Sequence, residues 1–392
     1  MTSPADYGIS RPSFQLDPEL DSKIFVGRSD VKERLENRLR RAILTGTSMH
    51  TIIYGEYGSG KTHTLNYIRK FLEEQKMSVL PIYVRSPRIE ERSRPSDLFS
   101  SIIGALSPVE IFALFTKIYD SVQTETQKTQ DVYQRIAILE KVVGNRDLSH
   151  AIYRYIMNRP SEDYLVVKWL SGEKLAAKEK STLGVIQDNS DPFAAVQTLL
   201  TLLQLFNRFD NKYALLLLDE METLRIVGSK RLMEFENFIR PLVEEKSGVS
   251  VIISFTSHVG LEDALPIFQS TTPIGTRVGY PQNYMYLKPF DDPDSMKQFI
   301  TELLANVRNP KADIKSLVKS HKKDTDEALS EEFFPFTRQA IDFMFQAFSQ
   351  TAQPKPLLPR DILKTMTDCL GDAIAEDTVT ISTEIVSRVL KE

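Results

Sequence analysis

The sequence holds one cysteine, Cys369, among 392 residues. A single thiol excludes an intrachain disulfide and any zinc site built from cysteines, and it fits a reducing compartment. Its plainer role is that of a small apolar residue in a C-terminal helix. No apolar run reaches the length that crosses a bilayer, and Met1 to Leu16 is polar where a signal peptide would be apolar, so a cytoplasmic protein without a membrane partner is expected. Positive charge is not in excess either. Against 53 Asp and Glu stand 49 Lys and Arg, a net charge of −4, which excludes the global basic field of a dedicated nucleic-acid binder and leaves room only for a local basic patch. The one tryptophan, Trp169, is expected in the core. What remains is the composition of an ordinary globular chain, 41% hydrophobic and 26% charged, long enough for two or three domains.

The stretch that carries chemistry is Thr51 to Leu65, TIIYGEYGSGKTHTL: a short apolar run, a glycine-rich turn, then Lys-Thr at the opening of a helix. Gly55-x-x-x-x-Gly60-Lys61-Thr62 is the full spacing of a phosphate-binding loop. Gly55, Gly58 and Gly60 are expected to let the backbone turn successive N–H groups inward around phosphate oxygens, with Glu56, Tyr57, Ser59 and His63 completing the loop. Lys61 then belongs on the β- and γ-phosphates and the Thr62 hydroxyl on Mg²⁺, while the helix N-terminus adds its partial positive charge. The predicted ligand is ATP with Mg²⁺. A chance glycine turn between strand and helix is the alternative, and an eight-residue pattern with correct flanks argues against it.

The rest of the chain divides around this loop. Residues 1–22, with Pro4, Pro12 and Pro18 among polar residues, read as an extended or partly disordered lead-in. Residues 23–290 read as a nucleotide-binding domain: a charged helix over about 30–42 capped by Ser29, strands near 50–54, 78–84, 213–218, 249–255 and 284–287, and helices over 61–74 and 229–244. A helical insertion occupies about 88–210, within which Ser171 to Asp191 reads as a mobile connection. Residues 291–392 show only helical periodicities and read as a separate helical domain.

Two strand ends add chemistry. Tyr213 to Leu218 is continuously apolar, as a central parallel strand is, and ends in Asp219-Glu220, at the edge where open α/β sheets hold ligands. Asp219 is expected to bind Mg²⁺ through water and Glu220 to act as general base on the attacking water. The next strand ends in Thr256-Ser257-His258, whose hydroxyls suit either a contact to the γ-phosphate or a turn.

This order of parts resembles the AAA+ ATPases of the initiator, origin-recognition-like clade. The likeness rests on Phe25-Val26-Gly27-Arg28, the loop Gly55 to Thr62, Asp219-Glu220, Thr256-Ser257 and a helical lid with Pro359-Arg360-Asp361. It implies a parallel five-stranded sheet followed by the lid. It also implies that Val26, Gly27 and Arg28 line the adenine pocket, that Thr256 or Ser257 is a first sensor and Arg360 a second, and that Arg277 is the arginine finger reaching a neighbouring subunit, with Arg240 as rival. The segment Val167 to Glu173 and Glu220-Met221-Glu222 are similar to ATPases of BREX-type phage-resistance islands. Origin-binding relatives continue into a winged-helix domain for which too few residues follow the lid here, so sequence-specific DNA reading is not expected. Transposition regulators of the TnsC and TniB kind also lack that domain and bind duplex DNA.

The resulting expectation is an ATP-hydrolysing switch in a homo-oligomer or a complex with partner proteins, acting in a prokaryotic DNA transaction such as phage defence or mobile-element control. The alternative is a nucleotide-gated scaffold without nucleic-acid contact. Arg34, Arg38, Arg40 and Arg41, and Lys311, Lys315, Lys319, Lys322 and Lys323, are the two basic clusters on which duplex DNA contact would rest; charge runs of this kind are as a rule solvated faces.

Overall fold

The apolar runs assemble into a five-stranded parallel sheet in the computed structural model, which describes residues 3–87, 89–157, 163–258, 260, 261, 263–349 and 357–391. The strands are β1 (Thr51–Gly55), β2 (Val79–Val84), β3 (Tyr213–Leu218), β4 (Val249–Thr256) and β5 (Tyr284–Tyr286), in the order β2-β3-β4-β1-β5. Leu218 of β3 is in register with Val84 of β2 and Ile253 of β4, so the strand that ends in the acid pair is flanked on both sides. Every residue of β3 and β4 is buried, which is why β3 reads as an unbroken apolar run and β4 as a mainly apolar one with Ser250 and Ser254 inside it, rather than as alternating strands.

Contacts divide the chain into two compact units. One comprises Asn37–Tyr54 and Leu72–Tyr286 and holds the sheet and the insertion. The insertion is built from α3 (Pro95–Ala105), α4 (Pro108–Thr126), α5 (Val132–Val143), α6 (Arg146–Met157), α7 (Asp163–Leu170), α8 (Ala177–Leu183) and α9 (Pro192–Asp210). Its helices start and stop where local chemistry dictates. Asp131 and Asp191 accept amide hydrogens at the first turns of α5 and α9, and Gly144 and Gly184 end α5 and α8 in the left-handed conformation. Trp169 is in the core as expected, 1% exposed, with Nε1 donating to the Gln187 carbonyl at 3.0 Å.

Ser171 to Asp191 departs from the mobile connection expected of it. It contains α8, and its polar residues are spent inside the fold: Asn189 Nδ2 donates to the Trp169 carbonyl at 3.0 Å, and Thr198 Oγ1 donates to Asn189 Oδ1 at 2.9 Å. Burial raises the Asp188 pKa, but Lys180 and Ser190 outweigh it and hold that carboxyl below its ordinary range.

The other unit comprises Met1–Glu36, Gly55–Phe71 and Leu287–Glu392. Its core is formed by α12 (Pro293–Val307), α14 (Arg338–Ser349), α15 (Pro359–Ala375) and α16 (Thr383–Val389), with α13 (Ile314–His321) beside them. The N-terminal segment is not a loose lead-in: Tyr7, Ile9 and Phe14 are buried in this core, and the Phe14 amide donates to Thr367 Oγ1 at 3.0 Å. Cys369 is buried here as well, and burial pushes its thiol up to about 12, so it serves as an apolar packing residue. Two helices, α1 (Ser29–Thr45) and α2 (Lys61–Glu74), have residues in both units. Among the described residues no single helix is long and apolar enough to cross a membrane.

Buried histidines give the fold a pH dependence. Burial lowers the pKa of His50, whose Nε2 lies 2.9 Å from the Glu245 carbonyl, and of His63, whose Nε2 lies 2.6 Å from the Ile24 carbonyl. The unfolded chain therefore binds more protons than the folded one just below pH 6.5, the ordinary histidine value, and stability falls as pH drops through that window. Denaturant melts at pH 7 and at mildly acidic pH should show the midpoint falling, and the fall should shrink in a His50→Gln/His63→Gln variant. An equal fall in the variant would assign the effect to other groups.

Candidate functional site

The loop after β1 has the backbone a phosphate cradle needs. Gly58 and Gly60 adopt φ of +91° and +96°, conformations that side chains resist. Gly55 is required for a different reason than the one expected from sequence. Its φ is not in the left-handed region, but a Cβ there would lie 2.8 Å from the Leu287 carbonyl oxygen and 2.9 Å from Ser59 Oγ, so close approach excludes a side chain. Lys61 is buried at the first turn of α2, and its Nζ donates to the Gly55 and Glu56 carbonyls at 3.1 and 2.9 Å, curling into the loop. Ser59 is 1% exposed, and among the described residues its buried Oγ has no hydrogen-bond partner. An orphaned donor and a buried ammonium in one glycine loop fit an anionic ligand with several oxygens.

Phe25 to Arg28 brace that loop. Arg28 Nη1 donates to the Ser59 carbonyl at 2.6 Å and Nη2 to the Lys288 carbonyl at 2.8 Å, so this guanidinium ties the loop to the start of the lid. Gly27 has φ +69°, donates its amide to Glu302 Oε2 at 2.6 Å, and has no room for a Cβ beside Phe299. Val26 packs at the margin of the lid core, and Phe25 meets Tyr67 of α2 at 4.7 Å between ring centroids. His63, placed in the loop by sequence, points its Nε2 at Ile24. From the lid, Arg360 stacks over the Tyr57 ring at 4.7 Å, and a Cβ on Gly58 would come within 2.9 Å of Arg360 Cβ. Pro359 and the Asp361 carboxylate, which accepts from the Leu358 amide, start α15 so that Arg360 falls in its first turn.

The acidic strand end belongs to the sheet unit. Asp219 is fully buried and accepts three hydrogen bonds: Oδ1 accepts from the Ser254 hydroxyl of β4 and from the Glu220 amide at 3.0 Å, and Oδ2 accepts from the Tyr83 hydroxyl of β2 at 3.1 Å. Both neighbouring strands thus orient this carboxylate. Glu220 takes φ +54°, ψ +38°, a left-handed conformation that costs a non-glycine residue about 1–2 kcal/mol. It breaks β3 into the 3₁₀ turn Met221–Ile226. Thr256 donates Oγ1 to Glu222 Oε1 at 2.5 Å and its amide to Glu222 Oε2 at 3.0 Å, while the Ser257 hydroxyl donates to the Gly260 carbonyl within its own turn. Of the two sensor candidates, Ser257 closes a turn and Thr256 is held by Glu222, to which the sequence assigned no site role.

Both finger candidates converge on one carboxylate. Arg277, in the short helix α11 (Pro273–Val278), places Nε 2.9 Å from Glu244 Oε1, and Arg240 of α10 (Ser229–Glu244) places Nε 3.6 Å from the same oxygen. Both arginines are about half exposed, at 56% and 45%. Among the described residues no group of three His, Cys, Asp or Glu forms a cation cage. Mg²⁺ commonly takes only one or two protein ligands and completes its shell with water and phosphate, and the donor types of Thr62 and Asp219 suit that role.

A five-stranded parallel sheet whose first strand runs directly into this loop defines the class: an α/β P-loop NTPase of the AAA+ type, with a helical insertion and a helical lid. The chain belongs to the family of BREX system ATP-binding proteins BrxC/D, whose model matches residues 19–108 and 116–387. No curated protein matches. Similar solved structures include Cdc6p from Pyrobaculum aerophilum, 12% identical, TM-score 0.46, covering 99% of this chain and 70% of that one. Others are the Aeropyrum pernix ORC1 protein in complex with DNA, 14% identical, TM-score 0.47, covering 94% and 66%, and the Drosophila ORC bound to DNA, 11% identical, TM-score 0.44, covering 99% and 64%.

Proposed function

We propose that the chain is an ATP-hydrolysing molecular switch that works in an oligomer or a multi-protein complex in phage defence. The observation that carries the proposal is the loop itself, where among the described residues the Ser59 hydroxyl has no hydrogen-bond partner and the buried Lys61 ammonium donates to the Gly55 and Glu56 carbonyls. Family membership supports ATP as the nucleotide.

In this reading the loop amides and Lys61 hold the β- and γ-phosphates, and Val26 to Arg28 hold the adenine end. Thr62 and Asp219 are the residues that would hold Mg²⁺, which would supply neutralisation of charge on the phosphoryl oxygens. Glu220 takes a proton from the water that attacks the γ-phosphorus as the bond to the β-phosphate oxygen breaks, giving ADP and inorganic phosphate. Thr256 orients that water and is itself positioned by Glu222. Arg360, released from Tyr57, reports the γ-phosphate to the lid, and Arg277 or Arg240, released from Glu244, completes a neighbour's site. The hydrogen bonds from Ser254 and Tyr83 fix the orientation of Asp219, which supports its assignment as the metal-side carboxylate and leaves Glu220 as the base.

A finger acts only in an assembly, so native mass measured with and without ATP and Mg²⁺ tests this function. The expected result is a larger species with nucleotide that Arg277→Ala/Arg240→Ala fails to form or forms without activity. A mass and an activity untouched by either condition would remove the assembly from the account.

A further inference from the structure

We infer that the outward face of α13 in the lid binds the phosphate backbone of duplex DNA. The inference rests on the proposed switch function and adds to it a surface that touches nucleic acid.

The helix α13 presents two unlike faces. Ile314 and Leu317 turn inward, where their Cδ1 atoms would lie 2.5 and 3.3 Å from a Cβ on Gly8, and the His321 ring lies 6.5 Å from that of Phe334. That face is fixed by packing, so the opposite face is fixed as well. It carries Lys315, Lys319 and Lys322 at spacings of four and three residues, one stripe of a helix, continued by Lys311 before it and Lys323 after it, and all five are exposed.

The stripe lacks internal compensation. The axial neighbours of Lys319 are Lys315, Ser316, Lys322 and Lys323, so its charged neighbours three and four residues away are all lysines. None of the five ammonium groups has an ion pair among the described residues. The acids nearby are engaged elsewhere: Asp313 caps the helix by accepting from the Ser316 amide, Asp324 pairs with His321, and Asp6 accepts from Ser3. A solvated helix face usually alternates charges to gain such pairs, and one that repels itself calls for an external anion with repeated charges.

The form of the stripe selects the anion. From Lys315 to Lys322 the helix rises about 10 Å, close to the rise of three base pairs. A membrane-surface helix needs a free apolar face, and here Ile314 and Leu317 are already packed. Single strands are held by aromatic stacking, and no exposed aromatic side chain lies in residues 311–323. Lysines without base-reading or stacking partners hold phosphates irrespective of sequence.

The test is binding of a fluorescent mixed-sequence duplex to the full chain over a salt series, with anionic lipid vesicles as a parallel arm. Lys315→Gln/Lys319→Gln/Lys322→Gln is expected to weaken binding about tenfold or more at low salt and to make the slope of log K against log salt shallower by about 2 to 3. The matching triple arginine variant should bind as the natural chain does, and Lys319→Glu alone should weaken binding with basal ATP hydrolysis unchanged. Equal affinity and slope in the glutamine variant, or binding to vesicles and not to duplex, would overturn the inference. A chain that hydrolyses ATP but ignores DNA defeats this inference alone, whereas one that binds DNA through these lysines without hydrolysing ATP defeats the switch reading alone.

Discussion

Lys61→Ala is expected to abolish ATP hydrolysis by weakening nucleotide binding and transition-state stabilisation together, with a loss of about 10²- to 10³-fold in turnover, the scale of removing one preorganised charged donor from developing phosphoryl charge. Lys61 is buried at the root of α2 and already aims Nζ at the carbonyls of Gly55 and Glu56, so the side chain is held in the loop before nucleotide arrives. Alanine removes the charge without touching Gly58 or Gly60, whose backbone conformations form the cradle. Thermal denaturation separates the contributions. Saturating ATP should stabilise the natural chain by about 2.7 kcal/mol at a hundredfold excess over Kd. The variant should melt alike without nucleotide and gain little or nothing from it. An ATP-induced shift of natural size would mean that Lys61 does not hold the phosphates.

Glu220→Gln has the opposite pattern. Loss of a general base is expected to cost about 10²- to 10⁴-fold in turnover, while ATP binding and the thermal shift persist. The substitution keeps the length of the side chain and its ability to hydrogen-bond water, and it removes only the capacity to accept a proton. The left-handed backbone at Glu220 is unchanged by the swap, so the 3₁₀ turn that follows should persist. If binding and turnover fell together, Glu220 would be a structural residue of that turn and the base would have to be sought elsewhere. Glu222, which holds Thr256 by two hydrogen bonds, would be the first alternative to test.

Much of this site was legible in the sequence because it is written in local patterns. The phosphate loop is eight consecutive residues. Helices α2 and α10 start and stop where apolar periodicity predicts. The acid pair follows an apolar run that only a doubly covered strand explains. What was not legible depends on partners remote in sequence. The donors to Asp219 come from Tyr83, 136 residues away, and Ser254, 35 residues away, and their convergence follows from the strand order β2-β3-β4, which no single stretch encodes. Tyr7 and Phe14 sit among polar and proline residues, and their burial depends on helices near the other end of the chain. Asn189 and Asp188 read as loop residues because polar side chains signal solvent unless their partners are known. Arg277 and Arg240 were not separable from local pattern for a physical reason as well, since both pair with Glu244.

The central claim is that nucleotide is hydrolysed and not merely held, and phosphate release by the purified chain in ATP and Mg²⁺ measures that directly. The account predicts steady release that disappears in both Lys61→Ala and Glu220→Gln, with ATP still bound in the second. Release at the level of Lys61→Ala in the natural chain, in DNA-containing and DNA-free reactions alike and with ATP demonstrably bound, would contradict it and make the protein a nucleotide-gated scaffold.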